Sequence, residues 1–243
     1  MSDVAGVEPC VIFDYDLTLV DLRLDRGIMR NSILRALERL GLEELFDHEK
    51  TTFVNYREIV DVKLAGSVDK ARIKRFLDWN MASGELRTVD LARPIPGCRE
   101  VLSALRQDNY RIGIVSSNSK RVIERTGRRL RLLRLVDSVW GREDEGRSKP
   151  SPDKLIACSR SLGCSSGVYV GDDPSDMEAA RAAGLVGIAA LRRTDRLPTP
   201  SPSLLTRLGA RFVVESLDEV PSVLRTLGWS FQEDRGRRAQ RAG

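Results

Sequence analysis

Asp14 and Asp16 close the short apolar run Cys10-Val11-Ile12-Phe13, and Thr18 follows them. A buried strand that ends in two carboxylates and a hydroxyl is not what packing asks for, because unpaired charge is costly away from water. A divalent cation would offset that charge: carboxylates are the hard oxygen ligands that Mg²⁺ takes, with water and a substrate phosphate completing its shell. Read alone, the same residues also fit a strand running into a solvated turn. Three further places carry side chains fit for chemistry. Ser116 and Ser117 follow the run Arg111-Ile112-Gly113-Ile114-Val115. Lys149 sits in Arg147-Ser148-Lys149-Pro150-Ser151-Pro152, in a chain that otherwise prefers arginine. Asp172 and Asp176 lie in Gly171-Asp172-Asp173-Pro174-Ser175-Asp176. Asp173 reads as a helix N-cap there, with Pro174 at the first helical position and Asp176 where a capping box places its acid.

The elements that must hold these residues alternate. Strand patterns cover 10–13, 111–115, 136–140, 167–170, 186–190 and 212–214. Helical patterns start at Pro96-Gly97 and at Lys120, and cover 153–162 and 174–183. This alternation implies an α/β, Rossmann-like core, a parallel sheet with helices on both faces. Sites in such sheets lie beyond the carboxyl ends of the strands, which puts Asp14, Ser116 and Asp172 at one edge. From Leu24 to Gly84 the pattern is helical instead. Ile28, Ile33, Leu34, Leu37 and Leu40 recur at helical spacing before Gly41. A second helix spans 53–64, and a third spans 69–81 with Ile73, Phe76, Leu77 and Trp79 as its apolar side. The expected organisation is a core of residues 1–20 and 92–229, an inserted helical cap at 21–91, and an arginine-rich tail at 230–243, expected to be disordered.

Composition narrows the chemistry. The chain has 243 residues, 41% hydrophobic and 31% charged, as a soluble globular protein has. No apolar run reaches the roughly 20 residues that cross a bilayer. Residues 1–8 lack a basic region followed by an apolar one, so no secretory signal is read and a cytoplasmic location is expected. Cys10, Cys98, Cys158 and Cys164 form no CxxC pair, and His48 is the only histidine. Zinc, disulfide and histidine-dependent readings are therefore weak. The net charge of +5 suits anionic substrates and nucleic acid alike.

Taken in order, Asp14-x-Asp16-x-Thr18, Ser116, Lys149 and Gly171-Asp172-Asp173 resemble the four motifs of the haloacid dehalogenase superfamily. The resemblance is to its phosphatases with a helical cap inserted between the first two motifs, and it covers residues 9 to 228. It implies that Asp14 attacks phosphorus to form an aspartyl-phosphate, and that Asp16 protonates the leaving oxygen and then deprotonates the hydrolytic water. It implies Mg²⁺ held by Asp14, the backbone carbonyl of Asp16 and Asp172. Ser116, with Ser117 beside it, would bind phosphate oxygens, and Lys149 would neutralise both Asp14 and the phosphate. Thr18 would orient the loop, and Asp176 would act behind the metal while capping its helix. Leu17 departs from the family pattern, where glycine is frequent; leucine calls for an unstrained φ.

Within that family, Asp16 disfavours dehalogenation, which has no phosphate leaving group to protonate. A phosphonatase needs a cap lysine, and Lys50, Lys63, Lys70 and Lys74 carry no distinctive context. Phosphomutases usually carry a histidine soon after motif one, and Val20-Asp21-Leu22-Arg23 has none. Hydrolysis of a small phosphomonoester such as phosphoglycolate remains, in a monomer or homodimer without a membrane partner. Arg23, Arg57, Lys63 and Arg87 are the cap cations that could reach an anionic substrate. The alternative substrates are nucleotides, pyrophosphate or polynucleotide ends. A different class of protein, a nucleic-acid binder on the same scaffold, would use Arg125–Arg134 and the tail. Nucleic acid is the less favoured partner, because a pure binder has no need of Asp14, Asp16, Lys149 and Asp172 together.

Overall fold

A computed structural model of the chain describes residues 9–191, 194 and 197–229. The residues read above for a leader (1–8) and a tail (230–243) lie outside the described ones. In chain order the elements are β1 (Cys10–Phe13), β2 (Val20–Asp21), α1 (Arg26–Glu38), α2 (Thr52–Arg57), α3 (Lys70–Glu85), β3 (Arg93–Pro94), α4 (Cys98–Gln107), β4 (Arg111–Val115) and α5 (Lys120–Arg129). They continue with β5 (Ser138–Trp140), α6 (Asp153–Ser161), β6 (Gly167–Gly171), α7 (Pro174–Ala182), β7 (Val186–Ala190), α8 (Pro202–Leu208), β8 (Ala210–Val214) and α9 (Val220–Thr226).

The six longer strands form one sheet in the order β5-β4-β1-β6-β7-β8, every neighbouring pair parallel. The period of two along β1 shows why both faces are covered. Val11 and Phe13 join one apolar cluster with Leu102, Leu105, Val122 and Ile123 of α4 and α5. Cys10 and Ile12 join another with Leu155 and Cys158 of α6 and with Ala179 and Ala180 of α7. Full burial of each such large apolar side chain stabilises by roughly 1.5–3 kcal/mol. All four cysteines are buried and unbridged, as reduced structural thiols are.

After β1 the chain crosses to β4 on one side, whereas after β6 it crosses to β7 on the other. The β1/β6 boundary is thus a topological switch point, where α/β sheets bind their ligands. Phe13 pairs with both Ile114 and Val170, so Asp14, Ser116 and Asp172 emerge together at this edge.

The helices between β2 and β3 have an apolar cluster of their own, built from Met29, Ile33 and Leu37 of α1, Leu77 and Met81 of α3, and Ile59. Asp25 caps α1 by accepting the Ile28 N–H at 2.9 Å. Helix α2 runs on as a π-helical turn, Glu58–Lys63. Trp79, read above as part of the apolar side of the third helix, is 56% exposed; Met81 and Ala82 are buried in that stripe instead. The neck of the insert is a ribbon pairing Val20 with Pro94 and Asp21 with Arg93. Strands this short carry no periodicity, so the sequence does not announce them; α8 and α9 are likewise short. No helix among the described residues is long and apolar enough to cross a membrane.

Candidate active site

Lys149 organises the site. Its ammonium donates to Asp14 Oδ1 at 2.7 Å, to Asp176 Oδ1 at 2.5 Å and to Tyr169 Oη at 2.9 Å, which uses all three of its protons. Tyr169 in turn donates to the Val115 carbonyl at 2.9 Å. Lys149, Asp14 and Asp176 are each at most 9% exposed. Burial, the largest single influence, works against the ammonium charge, but the Asp14 and Asp176 carboxylates outweigh it and hold Lys149 well above the ordinary lysine value.

Asp176 braces the loop after β6. Its second oxygen accepts the N–H groups of Asp172 at 3.1 Å and Asp173 at 3.0 Å. Asp173 caps α7, with Pro174 in the first turn and Asp176 completing the capping box. This carboxylate can fold back so closely only because residue 171 is glycine: a Cβ there would overlap it. Thr18 Oγ1 donates to Asp172 Oδ1 at 2.9 Å and so ties the first motif to the last.

Carboxylate oxygens of Asp14, Asp172 and Asp176 lie within 4.8 Å of one another. This buried acidic triad could hold a metal, and its all-oxygen donors suit Mg²⁺. Asp176 is committed to Lys149 and two amides, so Asp14 and Asp172, which both line the cavity, are the side chains placed to meet an ion there. The Asp16 side chain turns elsewhere, accepting the Leu22 N–H at 2.9 Å. Burial pushes its carboxyl up to about 7, against the pull of that hydrogen bond and with the help of the Asp14 charge.

The loop between them corrects one expectation. Leu17 has φ +63°, in the left-handed region that glycine enters freely. Its N–H donates to Val20 O at 2.7 Å, while Tyr15 O accepts from both Leu19 and Val20, so the turn holds leucine in a strained conformation.

Asp14, Asp16, Ser116, Ser117, Lys149 and Asp172 line one cavity of about 600 Å³, roofed by the helical insert. Ser116 Oγ donates to Asn118 Oδ1 at 2.9 Å. From the insert come Arg26, Arg30 and Arg57 with Met29, Phe53 and Tyr56. Arg57, one of the expected cap cations, also reaches the Lys149 carbonyl at 3.4 Å. The other three are misplaced by that expectation. Arg23 pairs with Asp21 at 3.4 Å and borders a separate cleft with Arg93 and Arg129. Lys63, at the end of the π-helical turn, faces away and donates to Leu45 O at 2.6 Å. Arg87 is exposed outside the cavity. Lys50 does line the cavity, but its hydrogen bond to Glu58 at 2.8 Å raises its pKa, the wrong direction for a Schiff-base nucleophile. Tyr169, Asn118 and the buried Arg142 escaped the sequence reading; a tyrosine in a fully buried strand was the one available signal for Tyr169.

A family model for haloacid dehalogenase-like hydrolases matches residues 11–190. The chain belongs to this family. A phosphoglycolate phosphatase of Aquifex aeolicus is 24% identical over 216 residues, covering 84% of this chain and 98% of that protein. An N-acetylmuramic acid 6-phosphate phosphatase of Pseudomonas aeruginosa is 28% identical over 224 residues, covering 88% and 93%. Among solved structures, a hydrolase from Pseudomonas syringae superposes with a TM-score of 0.62 at 23% identity, covering 89% and 98%. This haloacid dehalogenase-like hydrolase is a phosphatase.

Proposed function

We propose that this phosphatase hydrolyses a small phosphomonoester through a covalent intermediate on Asp14, with Mg²⁺ as cofactor. The observation that carries the reading is the Lys149 cluster: one buried cation fixes the Asp14 carboxylate while bracing the Asp172 loop through Asp176. A carboxylate fixed by a buried ammonium and lining a cavity is a nucleophile suited to phosphorus. An Asp14 oxygen forms the new bond to phosphorus as the bond to the leaving oxygen breaks, and Asp16 supplies that oxygen with its proton. Asp16 then takes a proton from water as the water oxygen attacks the phosphoryl group, releasing phosphate and free Asp14. A carboxyl pushed up to about 7 is matched to giving and taking a proton near neutrality. Asp14, Asp172 and the Asp16 carbonyl would hold Mg²⁺, which offsets charge on the transferring phosphoryl group. Ser116 and Ser117 serve its oxygens.

For the substrate, phosphoglycolate is the first reading, supported by the names of relatives and by Arg26, Arg30 and Arg57 in the cavity, which suit the carboxylate of its glycolate leaving group. The cavity volume favours a second reading, a larger phosphorylated sugar acid, since about 600 Å³ falls within the range of drug-sized ligand pockets. The test is turnover with Mg²⁺ on phosphoglycolate, N-acetylmuramic acid 6-phosphate, sugar phosphates, nucleotides, pyrophosphate and oligonucleotide ends. A kcat/KM for a carboxylated ester at least tenfold above the others is expected. Tight oligonucleotide binding without turnover of any ester would contradict the reading.

A further inference from the structure

Glu85, in the last turn of α3, lies far in sequence from the motifs and is fully buried. Its Oε2 accepts the Ser119 N–H at 2.9 Å, and its Oε1 faces the Asn118 side-chain amide at 3.5 Å. Arg142, 1% exposed in the loop after β5, donates to Glu85 Oε1 at 2.6 Å and to the Ser117 carbonyl at 3.1 Å. The Arg142 N–H donates to the Asn118 carbonyl at 2.8 Å. The guanidinium also lies 3.3 Å from Asp78 of α3, which keeps Lys74 at 2.7 Å and the Tyr56 hydroxyl at 2.5 Å. Each of residues 117, 118 and 119 is therefore gripped by one ion pair whose acid belongs to the insert.

Stability does not require such a pair, since a buried ion pair is often matched or bettered by apolar side chains of similar size. Its position explains it better. A helix N-terminus is a ready anion site, and α5 begins at Lys120 beside this loop. Here Glu85 takes the Ser119 N–H, and Glu143 takes the Lys120 N–H at 2.8 Å. Protein carboxylates hold these two donors. The Ser117 N–H is bonded to no protein acceptor among the described residues.

We infer that Glu85 is a positioning residue for the phosphate-side loop: its carboxylate fixes the Ser119 N–H and so sets where Ser117, beside Ser116, presents its N–H. The insert thereby shapes the phosphate site directly, as well as roofing the cavity. The inference rests on the phosphatase reading and adds a second side-chain role to it.

Two neutral pairs separate positioning from mere stability. E85Q/R142M keeps an acceptor oxygen for Ser119, and E85L/R142M does not; in both, Asp78 retains Lys74 and Tyr56. Inhibition of turnover by inorganic phosphate is measured, together with amide hydrogen exchange of the peptide covering 116–120. The glutamine pair is expected to keep the wild-type phosphate inhibition constant within threefold and wild-type exchange. The leucine pair is expected to raise that constant about tenfold, the worth of one hydrogen bond of ordinary strength, and to speed exchange in the loop. If the leucine pair does not fold, Glu85→Met with Arg142 kept serves as the variant without an acceptor, since Asp78 still holds the guanidinium. Wild-type exchange and inhibition in the variant without an acceptor would overturn the inference, and so would equal losses in both pairs. A wild-type protein that turns over no ester sinks the phosphatase reading instead, and the exchange data still decide the role of Glu85 in the loop.

Discussion

Replacing Lys149 by methionine removes one cation from between two buried carboxylates. At an effective dielectric constant of about 20, an ammonium at the observed 2.7 Å from Asp14 and 2.5 Å from Asp176 attracts each by about 6 kcal/mol. Dehydrating the three charged groups takes back most of that gain. Removing one partner of a buried cluster nonetheless costs about 3–5 kcal/mol, because the remaining charges have neither water nor a counter-ion. The loss depends on pH with a definite sign. Burial already raises the Asp176 carboxyl to about 6 against the pull of Lys149; without that cation it rises further, so the native variant binds more protons than native wild type around neutrality. The penalty is then present in full at pH 7.5 and shrinks as pH falls toward 5. Urea unfolding of chelator-treated wild type and Lys149→Met at both pH values measures this. With a slope of about 3 kcal/mol per molar, the midpoint should drop by about 1 M or more at pH 7.5, and by clearly less at pH 5. A penalty below about 1 kcal/mol, or one equal at both pH values, would show Lys149 to be an ordinary solvated lysine.

Asp16 carries a second pH signature. Its folded carboxyl titrates near 7 against a reference value of 3.8, so stability is lost as pH rises from 4 to 7. The full shift corresponds to about 4 kcal/mol, and water at this partly open group cuts it to about 2 kcal/mol. Chelated wild type should therefore lose that much relative to Asp16→Asn between pH 4.5 and 7.5, and parallel melting curves would refute it. Gly171→Ala drives a methyl group against the Asp176 carboxylate, which three donors hold in place. A cost of about 2 kcal/mol should lower the Tm by about 4–8 °C, and an unchanged Tm would mean that the capping loop gives way freely. Leu17→Gly relieves a left-handed φ of +63° while adding freedom to the unfolded chain. The two effects should cancel to within about 1 kcal/mol in urea titrations, and a larger loss would show that Leu17 is not strained.

The strands around the site were legible because each is a short apolar run bounded by turn or charged residues. Cys10–Phe13, Arg111–Val115 and Val186–Ala190 fall where the pattern places them. Asp173, Pro174 and Asp176 were legible for a local reason, since a capping box is written in adjacent residues. What stayed hidden depends on distance in sequence. Glu85 and Arg142 meet across 57 positions, and nothing near either residue marks the pair. The cavity-lining cations depend on helical phase: Arg57 faces the cavity while Lys63, at the end of the π-helical turn, does not. A widened turn shifts that phase away from the regular helical period, and periodicity alone does not register it. Leu17 shows a third limit, because a left-handed leucine is set by the hydrogen bonds of its turn and not by its own propensity.

Phosphate release in one coupled assay decides whether Asp14 is the nucleophile of a Mg²⁺-dependent phosphatase. Wild type and Asp14→Asn are compared on phosphoglycolate and N-acetylmuramic acid 6-phosphate, with Mg²⁺ and again with excess chelator. Wild type is expected to turn over with Mg²⁺ and to lose that turnover on chelation, and Asp14→Asn to have at least a thousandfold lower kcat, equivalent to about 4 kcal/mol of barrier. An Asp14→Asn protein as active as wild type would contradict that role for Asp14.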